Sequence, residues 1–150
     1  MESEALMTKE MSINLEALFN DEEGYLPLVL TKDWQMAQLN YTPTQLPQNL
    51  EKLDQHTFTD ETFTLIKGRA MLITYDETSQ KASLTSMEWG RTYNVPTMMW
   101  HNIAMAEESV VLITEGRDAH LKGFNQIPLP EVIKEEVVRH TKELWEDVLV

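Results

Sequence analysis

Two short segments hold the residue types that could bind a cation or move a proton. In the first, Asp54-Gln55-His56-Thr57-Phe58-Thr59-Asp60-Glu61-Thr62-Phe63-Thr64-Leu65-Ile66-Lys67-Gly68, period-two alternation places Asp54 and His56 on one face of a strand and Glu61, Phe63 and Leu65 on one face of the next. Phe63 and Leu65 are apolar while Thr62 and Thr64 are polar, so Glu61 points inward. A carboxylate placed there needs a partner, and a metal shared with His56 would supply one. Asp60 alternates outward, toward a solvated role. In the second segment, Gly90 to Met105, the residues Met99, His101, Ile103 and Met105 share a face, so His101 sits in an otherwise apolar row. A single inward histidine is ordinarily a hydrogen-bonded core residue, and the donors of the first segment are what raise another reading. Trp100 should face the opposite side, in core packing or an interface. Tyr93 could present its phenol as an acid or hydrogen-bond donor if it points inward. Arg69, after the turn at Gly68, reads as solvated, and His120 and His140 read as ordinary surface residues. The chain has no cysteine, so a metal would have to be held by histidine and carboxylate. No Ser-His-Asp set, glycine-rich phosphate loop or helical HExxH is recognisable.

These residues sit among short β-rich runs at Leu26 to Leu30, Gln35 to Leu39, Thr62 to Ile66, Met71 to Tyr75, Ala82 to Met87 and Val110 to Thr114, separated by turn-rich stretches. Short strands without intervening helices predict an all-β sandwich or barrel over residues 25–115. Residues 1–11 read as a loose leader. Ser12 followed by Leu15, Leu18 and Phe19 predicts a short N-terminal amphipathic helix stopping near Gly24. After Pro128 and Pro130, the stripe of Ile133, Val137, Leu144 and Val148 predicts a C-terminal amphipathic helix over 129–149, packed on the barrel or on a second subunit.

The length of 150 residues fits one domain. Twelve basic against 25 acidic residues give a net charge of −13, which disfavours nucleic acid, anionic lipid and polyanionic substrates. No apolar stretch approaches the roughly 20 residues of a membrane span. The acidic start lacks the pattern of a secretory signal, which predicts a cytoplasmic location.

The two segments together resemble the cupin superfamily, whose first motif is approximately G-x5-H-x-H-x(3,4)-E-x6-G and whose second is G-x5-P-x-G-x2-H-x3-N. The matching positions here are His56, four residues, Glu61, six residues and Gly68, then Gly90, five residues, Pro96, four residues and His101. Asp54 stands in place of the first histidine, Met98 in place of the second motif's glycine, and Met105 in place of its asparagine. The resemblance implies a jelly-roll β-barrel whose mouth holds one divalent metal, Fe, Mn, Ni or Zn, through His56, Glu61 and His101 with Asp54 as a fourth, oxygen ligand. It implies either of two functions. One is a metal-dependent isomerase, epimerase, lyase or oxygenase for a small sugar or hydroxy or keto acid, with Tyr93 or Asp54 moving a proton. The other is a non-catalytic small-ligand-binding module whose metal is structural or absent. Small cupins commonly pair, so a homodimer is expected.

Overall fold

In a computed structural model that describes residues 14–146, the alternating runs pair into two antiparallel five-stranded sheets. The strands are β1 (Gly24–Leu30), β2 (Trp34–Asn40), β3 (Lys52–His56), β4 (Glu61–Lys67), β5 (Ala70–Asp76), β6 (Lys81–Ser86), β7 (Thr92–Val95), β8 (Trp100–Met105), β9 (Val110–Gly116) and β10 (Phe124–Pro128). The first sheet runs β1-β2-β9-β4-β7 and the second β10-β3-β8-β5-β6. Within them the orders 2-9-4-7 and 3-8-5-6 are those of an eight-stranded jelly roll, with the chain crossing between sheets at nearly every connection. Each of the six predicted runs falls on a strand, with Met87 one residue beyond the end of β6.

Alternation does the packing. Leu39, Phe63, Leu65, Leu72, Ile103, Met105, Val111 and Ile113 are buried between the sheets. The opposite face of the second sheet carries Leu53, Met71, Ile73, Trp100 and Ala104, and it is covered by α1 (Glu131–Glu146) through Ile133 and Val137. Trp100 therefore turns away from His101, as its position predicts. The apolar stripe of α1 covers its own chain. Leu144 departs from it at 45% exposure, and Val148 lies outside the described residues. No helix among the described residues is long and apolar enough to cross a membrane.

Two expectations are corrected. Over the described residues 14–23 the chain is not helical, and Leu15, Leu18 and Phe19 are exposed; Ser12 lies outside the described residues. The reason is visible at Asn20. Its N–H donates to Gln38 Oε1 at 3.2 Å, and its carbonyl accepts from Gln38 Nε2 at 2.9 Å and Asn40 Nδ2 at 2.8 Å. Side chains of β2 satisfy the backbone groups that a helical turn would have used. Nor does the β-structure end near residue 115, because β10 adds an edge strand to β3 from Phe124↔His56 to Pro128↔Lys52. An edge is where a strand ending in proline is tolerated.

Two turn positions have left-handed backbone and opposite fits to it. Gly68 has φ +81°, and a Cβ there would lie 2.3 Å from Ser109 Oγ and 2.7 Å from Ser109 Cα. Ser109 comes that close because its hydroxyl bridges the Arg69 backbone, accepting from N–H and donating to C=O, both at 2.8 Å. Met98 also has positive φ, +72°, at the place where the resembled motif has glycine.

Candidate metal centre

Four strands from both sheets aim polar side chains at one point. His56 ends β3 and Glu61 begins β4, so a four-residue turn sets them side by side. His101 follows Trp100 at the start of β8, in register with Asp54. The loop before β8 is tied to the β3–β4 turn: Asp60 Oδ1 accepts the Thr97 N–H at 2.8 Å and its hydroxyl at 2.9 Å, and the Met98 N–H donates to the His56 carbonyl at 2.8 Å. Asp60 itself is exposed, as alternation predicts, and its bonds from Thr97, together with one from Asn94 at 3.1 Å, hold its carboxyl below the ordinary range. It positions the strand that carries His101.

At the centre, Glu61 Oε1 lies 2.7 Å from His101 Nε2 and 3.0 Å from His56 Nε2. One ligand atom from each of His56, Glu61 and His101 falls within 4.8 Å of the other two, so this group can hold a metal ion. His101 Nδ1 lies 2.9 Å from the Met99 carbonyl. A carbonyl only accepts, so Nδ1 carries the hydrogen and the neutral ring keeps its lone pair at Nε2. That lone pair would face a carboxylate oxygen at 2.7 Å, an attractive arrangement only with a proton or a cation between them. Two buried polar atoms beside it, His56 Nδ1 and Glu115 Oε1, have no hydrogen-bond partner. Imidazole and carboxylate donors with a surplus of lone pairs fit a first-row divalent metal.

Burial alone would raise the Glu61 carboxyl, but His101 and His56 outweigh it and hold it at about 2. Burial likewise lowers both imidazoles, and Glu61 more than reverses this, so both end above 6.5. Glu115, directly across from Glu61 on β9, is pushed up to about 7 by burial and then by the Glu61 charge. Its Oε2 accepts from the Tyr25 hydroxyl, which burial and Glu115 shift upward. Gln35 Nε2 lies 2.8 Å from the Tyr25 hydroxyl and 2.8 Å from His120 Nδ1. The group opens on a cavity of about 230 Å³ whose wall includes Tyr25, Phe63, Ile103, His120 and Phe124.

No protein-family model matches the sequence, and a comparison with curated proteins finds no match either. Solved structures do match. A cupin-2 domain containing protein from Shewanella frigidimarina superposes with a TM-score of 0.50 at 18% identity, covering 74% of this chain and 92% of that one. KdgF from Halomonas sp. gives 0.51 at 15% identity, covering 71% and 94%. An oxalate decarboxylase from Bacillus subtilis gives 0.51 at 17% identity, covering 72% of this chain and 29% of that one. The fold is that of a cupin.

In this cupin fold the two motif segments lie where the resemblance put them, and His56, Glu61 and His101 meet. Asp54 lines the same cavity, but its Oδ1 accepts from Gln126 Nε2 at 2.9 Å and it stands apart from the three converging atoms. Tyr93 is not brought to the cavity; it packs against the core, and its hydroxyl accepts the Glu88 N–H at 2.9 Å. Met99, expected inward, sits just before β8 at 37% exposure and contributes its carbonyl instead. His120, expected at the surface, stacks its ring 5.0 Å from that of Tyr25. Glu115 was legible by the rule that found Glu61: Val111 and Ile113 alternate inward, and Glu115 is next in that row. Tyr25, Gln35 and His120 carry no local signal, because only the pairing of β1, β2 and β9 brings them together.

Proposed function

We propose that this cupin is a metal-dependent enzyme that transfers a proton on a small oxygenated molecule, a sugar or a hydroxy or keto acid. The observation that carries the reading is the convergence of His56, Glu61 and His101 beside a hydrogen-bonded tyrosine and carboxyl, Tyr25 and Glu115, in one cavity. When bound, the metal would polarise a substrate carbonyl or hydroxyl. His56, Glu61 and His101 would hold it, and Phe63, Ile103 and Phe124 would keep water from the reacting carbon. Tyr25, which lines the cavity with its hydroxyl donating to Glu115 and 2.8 Å from Gln35 Nε2, would exchange the proton with the substrate. Asp54 and Gln126 at the cavity wall would orient a polar substituent. A cavity of about 230 Å³ sets the scale of the substrate, because roughly 150 Å³ accommodates benzene. Isomerisation, epimerisation and elimination are the reactions within this class.

Metal analysis of protein purified without chelator tests the reading first. About one first-row transition metal per chain is expected, and solvent deuterium should then enter a substrate's exchangeable carbon position in the wild type and much more slowly in Tyr25→Phe. A chain that takes up no metal on titration would instead be a small-ligand-binding module.

We also propose a homodimer built on the outward face of the first sheet. Two rows cross it without a charged residue, Leu26, Gln38, Leu112, Thr64 and Thr92, and Val29, Met36, Thr114, Thr62 and Asn94, of which Gln38 is covered by Asn20 of the same chain and the others are at least partly exposed. On a chain of net charge −13, such a face is where a second copy can approach without repulsion.

A further inference from the structure

We propose that the fourth protein ligand of the metal is Glu115, from β9 outside both motifs, and that Asp54 is not a ligand; this rests on the metal-dependent reading above. Glu61 and Glu115 are direct cross-strand partners in β4 and β9, both facing inward and both buried, at 6% and 4% exposure. Two like charges in such a pair repel, and more strongly away from water, unless a proton or a cation lies between them. The two oxygens of Glu115 are unequally treated. Oε2 is taken by the Tyr25 hydroxyl and lies 3.4 Å from Gln35 Nε2, whereas Oε1 is buried without a hydrogen bond and lies 3.3 Å from His56 Nε2. Tyr25 and Gln35 thus hold one oxygen back and leave the other beside His56 Nε2, the imidazole nitrogen that also faces Glu61.

Asp54 differs in burial and placement. It is only partly buried at the cavity wall, its Oδ1 accepts from Gln126, and its carboxylate makes no ion pair with His56 or His101, whereas Glu115 Oε1 lies 3.3 Å from His56 Nε2. The second motif-like segment supplies one histidine and the first supplies one histidine and one glutamate, so Glu115 makes the set two imidazoles and two carboxylates. Two carboxylates balance a dication, and the site becomes neutral as a whole. A ligand set this rich in oxygen favours Mn(II), Fe(II) or Zn(II) over softer ions.

Mn(II) titration of the wild type, Glu115→Gln and Asp54→Asn, with electron paramagnetic resonance of the bound ion, tests the assignment. Glutamine keeps the volume and an oxygen for Tyr25, so the variant should fold, with its thermal unfolding as the control. Affinity should fall about tenfold or more in Glu115→Gln, with an altered resonance spectrum, and stay within about twofold of wild type in Asp54→Asn. In wild-type protein labelled with carboxyl-¹³C glutamate, two glutamate carboxylates should couple to Mn(II), a measurement that needs no variant. Unchanged affinity and spectrum in Glu115→Gln, or coupling to a single glutamate, overturns the assignment while leaving the metal site standing. A wild-type chain that binds no divalent metal overturns the metal-dependent reading and the assignment with it.

Discussion

Protons and a metal compete for the same atoms at the centre, and the direction of that competition can be worked out. His56 and His101 are raised above 6.5 in the folded metal-free chain, so their contribution to stability is complete below 6.5 and is lost as pH rises through their folded values. Glu115, raised from 4.5 to about 7, has the same sign across that interval. Glu61, lowered to about 2, has the opposite sign, and its contribution is lost as pH falls below 4.5. The chelated protein should therefore melt at a lower temperature at pH 8 than at pH 6, and added metal should remove most of that difference, as a pH series of thermal melts would show. A flat series in the chelated protein would mean that the two imidazoles do not face Glu61. A second prediction concerns Met98, whose φ of +72° costs an L-residue about 1–2 kcal/mol. Met98→Gly should stabilise the chain by about 0.5–1 kcal/mol after the added freedom of the unfolded glycine is counted, measured by urea unfolding. At Gly68 the reverse holds: Gly68→Ala drives a Cβ into the Ser109 backbone and should cost at least about 2 kcal/mol.

Single elements were legible wherever one face is buried. The alternation in β4 and β8 named the inward residues, and the stripe of Ile133 and Val137 named the face of α1 that covers the second sheet. What sequence alone did not show is what each element is paired with. The segment before Gly24 has helical spacing at Leu15, Leu18 and Phe19, yet its backbone is claimed by Gln38 and Asn40, residues distant in sequence. Phe124–Pro128 lacks a clean alternation because it is an edge strand, exposed along much of its length. The cover supplied by α1 makes a definite prediction. Ile133→Ala removes a side chain 4% exposed among Leu53, Met71 and Trp100, and should cost about 2–5 kcal/mol. Because α1 lies on the outer side of the second sheet, metal stoichiometry should be unchanged once the variant is folded. Urea unfolding read beside metal content checks both parts.

For the molecule as a whole, motif spacing led to the jelly roll because the spacing between His56, Glu61 and Gly68 is the length of a turn and a strand. Glu115 could be read as inward from alternation in β9, but Tyr25 and His120 could be assembled with it only after β1, β2 and β9 were paired. If the uncharged face of the first sheet joins two copies, Leu112→Glu should convert a dimer into monomers, read by light scattering, with metal content per chain preserved. A wild type that is monomeric at all concentrations would exclude this interface. The position of the centre between the sheets has one more consequence. His56 and His101 ride on the second sheet while Glu61 and Glu115 ride on the first, so an ion gripped by all four fastens the two halves of the sandwich to each other. Removing it should loosen the contact between the halves, and the amide hydrogens of β4 and β8 should exchange faster in the chelated protein than in the metal-loaded one.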